Sequence, residues 1–217
     1  MATIPDAARL GAVLLAAGSA VRMGGPNKML IGIDGEPLVR RTLRTLQQVP
    51  IGHLVVVLGR DAQQVRVQLD TFPVRAFCRV EPGCDQQVSV DAGLRALPAG
   101  LDAIVLMLAD LPLIDAPDLR WLLGQWAAGP ADGAVIPFHE GTRGNPVIIA
   151  GAIREPVLAS GPVPGCRGWL AAHPQRVRRV EAPNDHCIVD LDTPADIERL
   201  RQRGLTVAVP DLSDKTG

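Results

Sequence analysis

Short, continuous apolar runs alternate along this chain with stretches in which apolar positions recur every three or four residues. The runs at 10–16, 54–58, 74–78 and 103–108 have the pattern of strands in a parallel sheet buried on both faces. The stretches between them predict amphipathic helices. Pro37 opens one with Leu38, Val39, Thr42, Leu43 and Leu46 on one side and Arg40, Arg41 and Arg44 facing water. Others are expected over 61–69 with Asp61 as N-cap, over 89–97 stopped by Pro98, and over 116–126 with Asp115 as cap and Pro117 near its start. Strand–helix alternation of this kind gives an α/β fold, a doubly wound sheet with right-handed crossovers.

The pattern changes after Gly133. Strand-like runs at 134–138 and 145–149 flank a polar loop and predict a β-hairpin or strand pair. Residues 151–168, with Pro156, Pro162 and Pro164, read as irregular. Two more short strands are expected at 177–181 and 187–191. Thr193 as N-cap and Pro194 at the first helical position open a last helix that runs to Arg203. Residues 1–204 form one expected domain and 205–217 a loose tail.

Composition narrows the function. The chain has 217 residues, 47% of them hydrophobic, which is enough for a buried core. A net charge of −1 and the absence of Tyr, with only three Phe and three Trp, argue against a nucleic-acid surface. No stretch has the roughly 20 apolar residues of a membrane span. Cys78, Cys84, Cys166 and Cys187 form no C-x-x-C pair and read as reduced thiols of a cytoplasmic protein. His139, His173 and His186 are scattered and carry no ligand spacing.

Candidate chemistry starts where the first strand ends. Leu15, Ala16, Ala17, Gly18 and Ser19 make a small-residue turn, and Arg22, Met23, Gly24 and Lys28 follow. Small residues let backbone N–H groups close on a phosphate, and the two cations supply counter-charge. The segment lacks the Gly-Lys-Ser/Thr of a P-loop and the glycine spacing of a dinucleotide fingerprint. The fourth strand brings Asp110 to the same sheet edge, a carboxylate suited to a magnesium ion that also touches phosphate oxygens. Asp190 and Asp192, two apart on an expected strand, would point to one side. Arg143 between glycines suits an anionic substrate, and Asn145 adds a two-sided hydrogen-bonding amide. Ser89 is placed to cap a helix or to touch a nucleotide.

The block from Leu15 to Lys28 resembles the Leu-Ala-Ala-Gly, Arg-Met-Gly and Lys signature of the MobA-like nucleotidyltransferase superfamily, and within it the molybdenum cofactor cytidylyltransferases. Asp110-Leu111-Pro112 resembles the family's Gly-Asp-Met-Pro, with Ala109 in the Gly position. Asp190-Leu191-Asp192-Thr193-Pro194 resembles its Asp-x-Asp-Thr-Pro block, and Arg143-Gly144-Asn145-Pro146 its Arg-Gly-x-Pro. Ser89, Gly93 and Leu94 match a Ser-rich segment, but Gln87 and Val88 stand where small residues are usual. Gly165 and Arg167 match a Gly-Asp-x-Gly-x-Arg segment whose Asp is absent, with Pro162, Val163 and Pro164 before them.

The resemblance implies a Rossmann-like, three-layer, mostly parallel sheet of the nucleotide-diphospho-sugar transferase type with a small β-hairpin insertion. It implies Mg2+-dependent transfer of a nucleoside monophosphate, CMP from CTP, to a molybdopterin-type acceptor with release of pyrophosphate. Arg22, Lys28 and Asp110 would be catalytic. Residues 15–19, Arg22, Met23, Gly24, Lys28, Ser89 and Asp110 would bind the nucleotide. Arg143, Gly144, Asn145, Pro146 and Arg167 would bind the acceptor, and Asp110, Asp190 and Asp192 the metal. Ala17, where guanylyl-transferring relatives tend to carry Gly, favours the smaller base. Partners would be small molecules and a molybdoenzyme or its maturation factor, with no nucleic acid and no membrane. Guanylyl transfer, another phosphorylated acceptor, or a non-catalytic molybdenum cofactor chaperone are the alternatives.

Overall fold

The structure is a computed structural model that describes residues 4–18, 27–81, 83–161 and 165–210. β1 (Leu10–Ala16) is followed in the chain by a 3-10 turn at Lys28–Leu30, a short ribbon of β2 (Gly32–Ile33) and β3 (Glu36–Pro37), and α1 (Leu38–Gln47). Next come β4 (His53–Leu58), α2 (Ala62–Val67), β5 (Ala76–Arg79), α3 (Gln86–Ala96), β6 (Ala103–Leu108) and α4 (Ala116–Ala127). The second half holds β7 (Ala134–His139), β8 (Thr142–Arg143), β9 (Val147–Ala150), α5 (Gly151–Ala159), α6 (Gly165–Ala172), β10 (Val177–Glu181), α7 (Pro194–Gln202) and β11 (Val207–Ala208).

The main sheet has the order β10–β7–β9–β6–β1–β4–β5, with β8 beside β7. β6, β1, β4 and β5 run parallel, as do β7 and β10, while β9 is antiparallel to both of its neighbours. All seven residues of β1 are buried, which is why its sequence is a continuous apolar run rather than an alternating one. α3, α5 and α6 pack on one another over one face, and α1 and α4 touch over the other. The result is the expected three-layer, mostly parallel α/β sheet. The expected strand pair of 134–138 and 145–149 forms as β7 against β9, antiparallel, with Ala134 opposite Ile149; between them β7 turns tightly into β8 at Glu140 and Gly141, both with positive φ as a tight two-residue hairpin demands.

Several local expectations are corrected. Residues 151–168 are not irregular: α5 and α6 occupy most of their described part. Pro156 lies inside α5, where burial of Ile153, Val157 and Leu158 outweighs its missing donor. α3 starts three residues before the expected Ser89, because Asp85 caps it through the Gln87 N–H at 2.8 Å. Asp61 stands at the N-cap of α2 in a left-handed conformation and makes no side-chain cap bond. Residues 187–191 are not a strand. A 3-10 turn at His186–Ile188 precedes an extended connector, and the Cys187 carbonyl accepts from Asn145 N at 2.9 Å instead of joining a ladder. Asp115 caps α4 as expected, in a reciprocal capping box with Asp118; at Thr193 the expected α7 cap is made through Asp196 Oδ2, which accepts from both the N–H and the hydroxyl of Thr193.

Residues 205–210, expected as part of a loose tail, carry β11. Val207 pairs with Ile33 and Ala208 with Gly32, and Asp34 and Thr206 exchange two further bonds. This three-stranded sheet covers a second core of Ile31, Ile33, Leu38, Leu191, Ile197, Leu200 and Val207. Leu191 is fully buried there and anchors the segment that carries Asp190 and Asp192. Leu191→Ala is expected to lower the unfolding free energy by about 2–5 kcal/mol, the range for truncating a buried leucine. Urea denaturation measures it, and an unchanged midpoint would show that the second core does not hold this segment.

Candidate functional site

β1 and β6 are adjacent and parallel, so their carboxyl ends deliver Ala17, Gly18, Ala109 and Asp110 to one edge of the sheet. The Ala109 N–H donates to the Leu15 carbonyl at 3.1 Å and closes the ladder there. A cleft opens at this edge in two adjoining halves that share Leu15, Gln86 and Leu108. One half, about 180 Å³, is lined by Ala17, Gly18, Lys28, Cys84, Ser89 and Asp110. The other, about 150 Å³, is lined by Gln87, Val90, Arg143, Asn145, Cys166 and Arg167.

Lys28 is the centre of the first half. Asn27 caps its 3-10 turn by accepting the Met29 N–H at 3.0 Å, and donates from Nδ2 to the Arg60 carbonyl at 3.1 Å. The Lys28 ammonium lies 2.6 Å from Asp110 Oδ2 and also bonds to Asp192 Oδ1. Its side chain is 6% exposed, against 18% for Asp110 and 33% for Asp192, so solvent screens this cluster weakly. Burial alone would depress the ammonium. The fields and hydrogen bonds of Asp110 and Asp192 outweigh it and hold the Lys28 pKa above the ordinary lysine value. Asp110 Oδ1 is buried and has no hydrogen-bond partner among the described residues.

Asp110 is held from several sides. Thr42 Oγ1 lies 3.2 Å from the Ala109 carbonyl, Arg41 Nε donates to the Pro112 carbonyl at 3.0 Å, and Leu191 N donates to the Asp110 carbonyl at 3.0 Å. That last bond sets Asp190 and Asp192 beside Asp110. The Thr193–Asp196 pair caps α7 without the Asp192 carboxylate, which goes to Lys28. Asp190 is more exposed, and its carboxyl is pushed up by partial burial and then by the charges of Asp192 and Asp110. All three carboxylates therefore share one region, with Asp110 and Asp192 in direct contact with the lysine. Asp110 and Asp192 offer oxygen donors, one of them buried and unpartnered among the described residues, which suits a hard divalent cation that takes its remaining ligands from phosphates; Asp190 does not join them in a group of three within metal-binding reach.

In the second half, Arg143 is half-buried and Arg167 exposed, and neither guanidinium has a hydrogen-bond or ion-pair partner among the described residues. Burial, then the nearby Arg167 and Arg179 charges, lower the Arg143 pKa. Cationic groups that repel one another across a cleft suit an anion with more than one charge. Strand alternation sorts the 143–146 loop. Arg143 and Asn145 line the cleft, whereas Pro146 lines a different small cavity with Trp121 and Cys187. Gly144 faces away too: a Cβ there would sit 2.6 Å from Cys187 Sγ, so the loop packs backbone-first on the Asp190 segment. Ala16 is buried in the core. Ser19, Arg22, Met23 and Gly24 lie outside the described residues.

Sequence reasoning missed Gln86 and Gln87. Gln86 stands where the two halves meet. Gln87 Oε1 accepts the Arg167 N–H at 3.3 Å and ties α3 to the first turn of α6. Gly165 permits this approach, since its φ is +63° and a Cβ would lie 2.5 Å from Gln87 Oε1. An N-cap at Asp85 was the available signal, as it puts both glutamines in the first turn of a helix that starts at the cleft. Ser89 lies one turn further on, buried, with Cys84 Sγ 3.9 Å from its hydroxyl. Cys166 is buried and its thiol is pushed up to about 12.

His186 is not isolated. With Asp115 and Asp118 it forms the one group of three His, Cys, Asp or Glu side chains found within metal-binding reach among the described residues. Asp118 accepts from His186 Nδ1 at 2.7 Å and from Asn184 Nδ2 at 2.9 Å, and it also completes the α4 cap. Burial pushes the Asp118 carboxyl up, but these bonds outweigh it and hold it below the usual range. The cluster is occupied in pinning the 184–186 loop to α4.

A family model for the MobA-like NTP transferase domain matches residues 12–177. A probable molybdenum cofactor guanylyltransferase of Natronomonas pharaonis is 27% identical over 214 residues, covering 88% of this chain and 96% of that protein. The bifunctional protein GlmU of Agrobacterium fabrum is 34% identical over 132 residues; the match covers 59% of this chain and only 28% of that relative. The chain thus spans about a quarter of such bifunctional relatives. Among solved structures, Rv0371c of Mycobacterium tuberculosis H37Rv superimposes with a TM-score of 0.74 at 25% identity, covering 89% of this chain and 97% of that one. No helix among the described residues is long and apolar enough to cross a membrane.

Proposed function

The chain belongs to the MobA-like NTP transferase family, and from that membership and the cleft geometry we propose that it transfers a cytidylyl group from CTP to a phosphorylated acceptor of the molybdenum cofactor type. An oxygen of the acceptor phosphate attacks the α-phosphorus, the bond from that phosphorus to the bridging oxygen breaks, and pyrophosphate leaves. The observation that carries this reading is the buried Lys28 between Asp192 and Asp110, the latter just past the end of β6, beside an Asp110 oxygen with no partner among the described residues.

Asp110 and Asp192, with Asp190 behind them, would hold a Mg2+ ion, which when bound neutralises phosphate charge. Lys28 neutralises the leaving pyrophosphate, and the backbone of Ala17 and Gly18 lies open to the phosphates because neither residue carries a bulky side chain. Arg143 and Arg167 hold the acceptor's negative charge, and Asn145 orients its polar edge. Transfer is direct. The Cys166 thiol, with its pKa pushed up to about 12, is protonated at neutral pH and offers no nucleophile. Catalysis then rests on alignment and charge, as in phosphoryl transfer generally.

The choice of CTP rests on Ala17, whose methyl group at the cleft wall takes room that glycine would leave to a purine. The Natronomonas pharaonis relative's name favours GTP as the second reading. Pyrophosphate release from each triphosphate with Mg2+ and molybdenum cofactor tests both. Release that depends on CTP and on cofactor is the expected result. Faster release from GTP would replace the donor, and no release from any triphosphate would overturn the transferase reading.

A further inference from the structure

We propose that Lys28 is a resident counter-cation that makes the acidic pocket select a cation–triphosphate complex over a lone divalent cation. This rests on the transferase reading above, and it adds how the two ligands enter. The ammonium bonds to Asp110 Oδ2 and Asp192 Oδ1, so one oxygen of each carboxylate is already engaged by a fixed positive charge. Lys28 is 5% exposed, so water cannot replace these contacts cheaply. A divalent ion arriving alone would meet the ammonium at the oxygens it needs, and two cations would share one small space.

The position of Gly18 supplies the exit. A Cβ built on Gly18 would lie 3.4 Å from Lys28 Cε and 3.8 Å from Nζ, in ordinary contact. The ammonium therefore sits against Gly18, in the small-residue turn that would receive phosphates, within reach of both the carboxylates and that turn. A triphosphate on that turn gives the ammonium a new anionic partner and releases Lys28 from Asp110 Oδ2 and Asp192 Oδ1. Asp110 Oδ1, buried and unpartnered among the described residues, is the oxygen already available when that happens. Each ligand thus removes the obstacle to the other, and the coupling is reciprocal.

The diagnostic measurement uses Mn2+ alone, without nucleotide, by calorimetric titration and by loss of the free-ion EPR signal. Mn2+ affinity is compared for the wild type, Lys28→Met and Asp110→Asn. Methionine keeps the length of the side chain and removes the charge. The proposal expects Lys28→Met to bind Mn2+ at least about tenfold more tightly than the wild type, within the usual span of coupling between sites. It also expects Mn2+ to raise the melting temperature of Lys28→Met by more than that of the wild type. Lys28→Gln, which can still donate to a carboxylate, serves if the methionine variant does not fold. Equal or weaker Mn2+ binding by the neutral variants, with binding lost in Asp110→Asn, would overturn the proposal and leave the metal site standing. Unchanged Mn2+ binding in Asp110→Asn would overturn the site assignment itself.

Discussion

Lys28→Ala is expected to reduce turnover by about 10²–10³-fold, the loss seen when one preorganised group that faces developing charge is removed. The ammonium is buried, held charged by two carboxylates, and lies beside Gly18. Among the described residues it is the one cation that lines that half of the cleft. The same change has a structural cost. Asp110 and Asp192 then face each other without the ammonium, and breaking a buried ion pair costs about 3–5 kcal/mol. The low end applies because Asp192 is 33% exposed and partly solvated. The variant is thus expected to fold with a lower melting temperature in EDTA and to transfer almost nothing. Pyrophosphate release checks the first and a melting curve the second. Near-wild-type turnover would remove Lys28 from the triphosphate site.

Asp110→Asn is expected to abolish metal-dependent turnover, by about 4 kcal/mol or a thousandfold, the scale on which a metal ion stabilises a phosphoryl transition state. Asparagine preserves the size of the side chain and the carbonyl that accepts from Leu191 N, so the turn at the end of β6 survives. What goes is the charge that faces Lys28 and the orphaned anionic oxygen. Nucleotide binding measured with and without Mg2+ separates the two effects. In the variant, Mg2+ should no longer strengthen CTP binding. If the Mg2+ dependence of both binding and turnover is retained, Asp110 is a structural residue.

The two Asp residues of the Asp190–Asp192 pair were equivalent in the sequence, since both stand before the last helix. The structure ranks them. Leu191 is pulled into the second core, Asp192 reaches Lys28, and Asp190 remains more exposed. The 143–146 loop divides in the same way. Arg143, Gly144, Asn145 and Pro146 read as one motif, yet only Arg143 and Asn145 line the cleft, because Gly144 must lie flat on Cys187. α5 and α6 were unreadable for a different reason. Prolines normally interrupt helices, and only packing against α3 and β9 reveals that Pro156 is tolerated. Likewise β11 is two residues long and has no periodicity of its own; it exists because β2 offers an edge.

Local chemistry was enough to give the alternation of strands and helices, the buried parallel centre, the N-caps at Asp115 and Thr193, and the small-residue turn with its lysine. Each depends on residues close together in the chain: apolar runs, a side chain three residues from the N–H it satisfies, or glycine where a Cβ would intrude. The contact between Lys28 and Asp192 joins residues 164 positions apart, and that between Lys28 and Asp110 residues 82 apart. No periodicity or spacing encodes such a distance. Only the closing of β6 against β1, and the burial of Leu191 beneath β11, bring the three charges together, because charges can be held out of water only where a packed core surrounds them.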